Sequence, residues 1–131
     1  MLRFLPYPAT PNNVSILAAN ASNPSVRSQI EWYGRQHYAA DSINKVMQLV
    51  YNWSVQKKVD VICNEFGVHK KVAPPESILN YLSDVTSYLN KFGIGWAVWD
   101  YDDTFGIASY TTGTRAVPPV WDNGVLNALK I

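Results

Sequence analysis

The chain has 131 residues, 47% apolar and 16% charged, a globular composition with room for one hydrophobic core rather than a disordered one. Lys+Arg at 11 against Asp+Glu at 10 leaves no strong field to steer nucleic acid or an acidic membrane. The single cysteine, Cys63, excludes an internal disulfide framework, and no apolar run reaches the roughly 18 residues of a membrane span.

Residues 1–40 read as an irregular loop region within a single unit, 1–131. Pro6, Pro8, Pro11 and Pro24 punctuate it, with Asn12, Asn13, Asn20 and Asn23 between them. Only Val14–Ala19 offers a short strand. Met1–Pro11 carries one Arg and no long apolar stretch, so it does not read as a signal peptide. Residues 41–131 read as helix, strand, helix, strand, helix. Asp41 or Ser42 is the expected cap of the first helix; Ile43, Val46, Met47 and Val50 give its apolar stripe, and Lys57 and Lys58 suit its negative end. Val59–Phe66 is a compact apolar run, expected as a strand buried on both faces. A helix beginning near Pro75 or Glu76 follows, striped by Ile78, Leu82, Val85 and Leu89 and stopped by Gly93. The run Ile94–Tyr101 is the second expected strand. A polar loop through Thr111–Thr114 and Pro118–Pro119 leads to a short helix capped by Asp122. Buried strands alternating with helices indicate an α/β fold with a parallel sheet and right-handed crossovers.

In such units chemistry gathers at the C-terminal ends of the strands. The first strand ends Cys63-Asn64-Glu65-Phe66-Gly67. Strict alternation groups Val61, Cys63 and Glu65 on one face and Ile62 and Asn64 on the other. A carboxylate there serves as nucleophile, general base or metal ligand, or simply marks the strand's end at the water boundary. Cys63 is expected as a small buried residue on the inner face. The second strand ends Trp96-Ala97-Val98-Trp99-Asp100-Tyr101, with Gly95, Ala97 and Trp99 on one face and Trp96 turned under the helices. Aromatics make up 13% of the chain, and flat aromatic faces either fill a core or support sugar rings. A Glu and a Trp on neighbouring strand tops suit a sugar site.

Weaker signals surround this pair. His69, in the loop after the first strand, either faces substrate or is solvated. Asp100, Asp102 and Asp103 cluster after the second strand, but Thr104 and Phe105 stand where a calcium loop needs a ligand and a glycine. The cluster therefore reads as a solvated acidic loop, with Asp100 available to a sugar. Three Asn-x-Ser tripeptides, at Asn13, Asn20 and Asn52, are common by chance in so Asn/Ser-rich a chain.

Val61-Ile-Cys-Asn-Glu-Phe-Gly67, Pro74-Pro-Glu-Ser77 and Ile94-Gly-Trp-Ala-Val-Trp-Asp-Tyr101 with Phe105-Gly106, in that order, resemble the last third of glycoside hydrolase family 5, the cellulases (endo-β-1,4-glucanases) and their relatives. Tyr7–Pro11 resembles more weakly the loop after the family's sixth strand. The resemblance implies a partial (β/α)8 barrel, about strands seven and eight with flanking helices; a complete barrel needs roughly 250 residues. It further implies Glu65 as catalytic nucleophile and Trp99 as sugar platform. Asn64, His69 and Asp100 become substrate-binding candidates, with no cofactor, no metal and a β-glucan or cello-oligosaccharide as ligand. The parent enzyme is expected to be secreted.

The family's acid/base sits in an Asn-Glu-Pro-like motif, which these residues lack; the remaining glutamates are Glu31 and Glu76. The family's His-x-Tyr motif is absent too. The chain alone is therefore expected to be truncated at its N-terminal side and inactive by itself. The alternative is a non-catalytic barrel piece that self-associates through exposed strand edges into a homo-oligomer, with at most weak carbohydrate binding.

Overall fold

The computed structural model describes residues 5–111 and 117–131. Five helices and four short strands follow one another as α1 (Pro11–Ala19), α2 (Pro24–Arg35), α3 (Ala40–Lys57), β1 (Ile62–Phe66), α4 (Pro75–Lys91), β2 (Gly95–Val98), β3 (Ala108–Ser109), β4 (Val120–Trp121) and α5 (Asn123–Leu129). Of the expected polar loop, residues 112–116 lie outside the described residues.

The irregular reading of 1–40 is overturned across 11–35, and so is the short strand at Val14–Ala19. Both stretches hold helices. Pro11 and Pro24 each stand in a helical first turn, where a missing N–H costs nothing. The Thr10 hydroxyl accepts from the Asn13 N–H, and the Asn23 side chain accepts from Ser25 N–H. The same prolines and asparagines that suggest loops are here the starting signals of two helices. α1 and α2 pack on each other around Val14, Ala18 and Ile30, a small cluster of their own.

The larger core lies between the sheet and helices α3, α4 and α5. Ile43, Phe66, Ile78, Leu82, Val85, Leu89, Ile94, Val125 and Leu129 fill it, together with Tyr7 from the N-terminal segment. Tyr7 is drawn in by two hydrogen bonds: its N–H donates to Ser77 Oγ at 2.9 Å and its hydroxyl to Asp84 Oδ2 at 2.7 Å. Burial, reinforced by the Asp84 carboxylate, pushes the Tyr7 phenol well above its ordinary range, so it stays a donor.

α3 begins at Ala40, ahead of the expected caps. Ala39 is the N-cap, and its N–H is satisfied by Ser42 Oγ at 3.3 Å. α3 ends as expected at Lys57, with Lys58 in the left-handed region. Both strands are shorter than their apolar runs. β1 and β2 pair in parallel, as a βα unit requires, but as a two-stranded sheet. No closed barrel forms among the described residues. The expectation of strands buried on both faces also fails: Ile62 is 70% exposed, because the helices cover one side of the sheet and nothing described covers the other.

Candidate active site

The register of β1 against β2 slips by one residue near its top. Ile62 pairs with Gly95 and Cys63 with Trp96, but Phe66 pairs with Val98. Cys63 and Phe66 consequently both pack on the helix side, three residues apart, which strict alternation forbids. The extra residue of the bulge makes this possible and leaves Asn64 and Glu65 both exposed. Cys63 is therefore not the fully buried inner-face residue expected, although it and Glu65 line one cavity. It lies half-buried against the helices, and its thiol sits 3.7 Å from the Glu65 carbonyl oxygen. Phe66 anchors the bulge from below, edge-to-face on Trp96 with ring centroids 5.6 Å apart.

β2 follows simple alternation. Gly95 and Ala97 face the open side, and Trp96 and Val98 face the helices. Trp99 emerges at the strand end, 52% exposed, and its N–H donates to the Phe66 carbonyl at 2.7 Å. Beside that bond a Cβ on Gly67 would collide with the Trp99 carbonyl oxygen. Gly67 is thus the residue that lets the two strand tops meet. Glu65 and Trp99 stand on strand ends held together at main-chain distance. The Trp99–Asp100 peptide is cis.

Glu65 lines a cavity of about 240 Å³ with Tyr38, Ile43, Met47, Cys63 and Tyr81. His69 lines a second one, of about 320 Å³, with Tyr7, Tyr33, Tyr38, Ser77 and Tyr81. Its ring packs edge-on against Phe105 at 5.2 Å, and its Nδ1 is shielded from solvent with no hydrogen-bond partner among the described residues. Burial and the neighbouring Tyr38 push the Tyr81 phenol above its ordinary value, and burial does the same for Tyr33. Asp100 is engaged in its own loop: Oδ1 accepts the Asp103 N–H at 3.2 Å and its carbonyl accepts the Ile107 N–H at 3.2 Å.

Sequence reasoning missed the ties among the strand-top loops. Lys70 N–H donates to the Thr104 carbonyl at 2.9 Å, and Lys70 Nζ donates to Asp122 Oδ2 at 3.0 Å. Asp122 does cap α5, as expected, accepting the Val125 N–H at 3.1 Å. Burial alone would raise the Asp122 carboxyl, but Lys70 and the Val125 N–H outweigh it and hold it below its ordinary value. Missed as well was Trp121, whose ring meets Tyr101 edge-to-face at 5.9 Å. Its place just before the Asp122 cap was the one signal available.

With this geometry in view, comparison with solved structures places the fold. The cellulose synthase subunit Z (CcsZ) of Clostridioides difficile matches at 31% identity and a TM-score of 0.59, over 69% of this chain and 28% of that one. A hyperthermophilic endo-β-1,4-glucanase in complex with substrate matches at 25% identity and a TM-score of 0.60, over 70% and 28%. Endoglucanase Cel5A of Thermotoga maritima matches at 27% identity and a TM-score of 0.59, over 69% and 27%. The chain spans little more than a quarter of these relatives. No family model and no curated protein matches it. The described residues have the fold of part of a TIM-barrel glycoside hydrolase, and the chain has cellulase-like structural relatives.

Proposed function

We propose that this chain carries the nucleophile side of a retaining glycoside hydrolase site for β-1,4-glucan. The observation that carries the reading is the junction of the two strand tops. The Trp99 N–H bond to Phe66 and the close approach at Gly67 bring an exposed glutamate and an exposed indole onto adjoining strand ends. Likeness to structures of endoglucanases supports the ligand class, and one such structure holds cellobiose.

In this reading Trp99 supports the sugar ring, and the Glu65 carboxylate attacks the anomeric carbon as the glycosidic C–O bond breaks. A second carboxyl protonates the departing oxygen and later activates water; retaining enzymes hold the two carboxyls about 5–5.5 Å apart. That second group comes from outside these residues. Asn64, on the same bulge, and His69 and Asp100, in the strand-top loops, are proposed to bind the sugar's hydroxyls. The step requires neither cofactor nor metal.

A specific observation also favours self-association. Val46, Leu49 and Trp53 are exposed along α3, and Ile62 is exposed on the open side of the sheet. Covering them with a second copy gives a homo-oligomer. Turnover and binding assays on cello-oligosaccharides separate the two readings. Binding with feeble or no turnover, lost in Trp99→Ala, supports the nucleophile side of a split site. Robust turnover that survives Glu65→Gln overturns it. Oligomers that bind no sugar leave only the assembly role.

A further inference from the structure

We propose that Tyr101 and Trp121 form a second sugar platform, which takes a further glucosyl unit of a β-linked chain seated on Trp99. The inference rests on the reading of Trp99 as the first platform. It draws on an aromatic pair which that reading does not use.

The pair is built into the strand-top loops. Tyr101 lies two residues beyond Trp99, and its carbonyl accepts the Ala108 N–H at 2.9 Å. On its other side Ala108 pairs antiparallel with Trp121. The two rings thus flank one alanine in a small backbone network, and Ala108 itself is buried. Further bonds hold the network: Ile107 N–H to the Asp100 carbonyl at 3.2 Å and Asp122 N–H to the Ile107 carbonyl at 2.9 Å. Gly106 permits the turn between, since a Cβ there would sit 2.8 Å from Asp102 Cα.

The rings meet at 83° with centroids 5.9 Å apart, yet Tyr101 stays 44% exposed and Trp121 46%. An edge-to-face pair covers one ring face and leaves others in water. Two large aromatics fixed by main-chain bonds and still half in solvent fit a ligand with flat apolar faces and a polar rim. A β-linked glucosyl unit is such a ligand: its C–H bonds point axially and its hydroxyls lie around the edge. The rim is answered by the partly exposed Lys70–Asp122 pair, whose Asp122 follows Trp121 in sequence. Tyr101 stands only two residues beyond Trp99, so the proposed occupant is a unit of the same glucan, past the two that a disaccharide fills, rather than a separate molecule.

The test is calorimetric titration of the full chain with cellobiose and with cellohexaose, for the parent, Trp99→Ala, Trp121→Ala and Trp121→Phe. Both Trp121 changes are at an exposed site and leave the core intact. The expected result is a loss of about tenfold in cellohexaose affinity for Trp121→Ala, the scale of one lost stacking contact. Cellobiose binding stays unchanged, and Trp121→Phe recovers most of the loss. Trp99→Ala weakens both sugars. If Trp121→Ala leaves cellohexaose binding intact while Trp99→Ala abolishes it, the second platform is wrong and the first stands. Equal weakening of both sugars by Trp121→Ala also overturns the second platform. If the folded parent binds neither sugar, both readings fall.

Discussion

The α1–α2 pair and the β1–α4–β2–α5 unit are built on different principles. α1 and α2 are fixed locally, by Thr10 and Asn23 caps, by prolines in their first turns and by a cluster of three buried residues. The second unit depends on distant partners. Leu89 and Leu129 are fully buried between α4 and α5, and the strand tops are joined across α4 by the Trp99–Phe66 bond. Every proposed site residue lies in the second unit. The lesson is that the site inherits its geometry from long-range packing, whereas the N-terminal helices reach it only at its margin, where Tyr33 lines the His69 cavity.

The sharpest way to break that contrast is to empty each core in turn. Leu89→Ala is expected to cost about 2–5 kcal/mol in chemical denaturation and to disorder the site. Ile30→Ala carries a similar intrinsic cost but is expected to weaken sugar binding far less than Leu89→Ala does, because its cluster meets the site only through Tyr33. Gly67→Ala ranks next. Its new methyl must displace the Trp99 carbonyl, at about 1–3 kcal/mol, and sugar binding should fall more than stability does.

Tyr7→Phe removes the hydroxyl that links the N-terminal segment to Asp84, and about 1 kcal/mol of stability should go with it. Calorimetric melting of the variant beside the parent measures the difference. The smallest effect is the pH dependence of Asp122. Its lowered folded value means that its stabilisation is fully present above the ordinary carboxylate value of 3.8 and is lost as pH falls through the folded value. Both partners are partly exposed, so the contribution is under about 1 kcal/mol; Lys70→Met should flatten the acid limb of a pH–stability curve.

The second unit, with α3 before it, was the more legible in sequence. Apolar periodicity gave α3, α4 and α5 nearly to the residue, and the β-branched runs gave β1 and β2 in the right order. Their exact lengths were lost, since Val59 and Val61 are apolar without being paired. The N-terminal helices were hidden because proline and asparagine mark helix starts as readily as loops. Alternation gave the two faces of β2, but it missed the bulge in β1, which is invisible in a pattern of period 2 and lets Cys63 and Phe66 both pack toward the helices. Glu65 and Trp99 stood out in sequence by type and position. Trp121 did not, because its partner Tyr101 is brought to it only by a backbone network that no local pattern encodes.

The central claim is that Glu65 is a nucleophile held at a sugar site. A fluorinated cellobioside with a dinitrophenolate leaving group tests it without calling on an acid, since that group departs unprotonated. Attack forms a bond from the Glu65 carboxylate to the anomeric carbon as the aryl C–O bond breaks. Mass spectrometry of the intact chain should then show one added fluoro-cellobiosyl group, mapped to Glu65 and absent in Glu65→Gln and weakened in Trp99→Ala. A folded chain that stays unlabelled at saturating reagent, or labelling that persists in Glu65→Gln, would contradict the account.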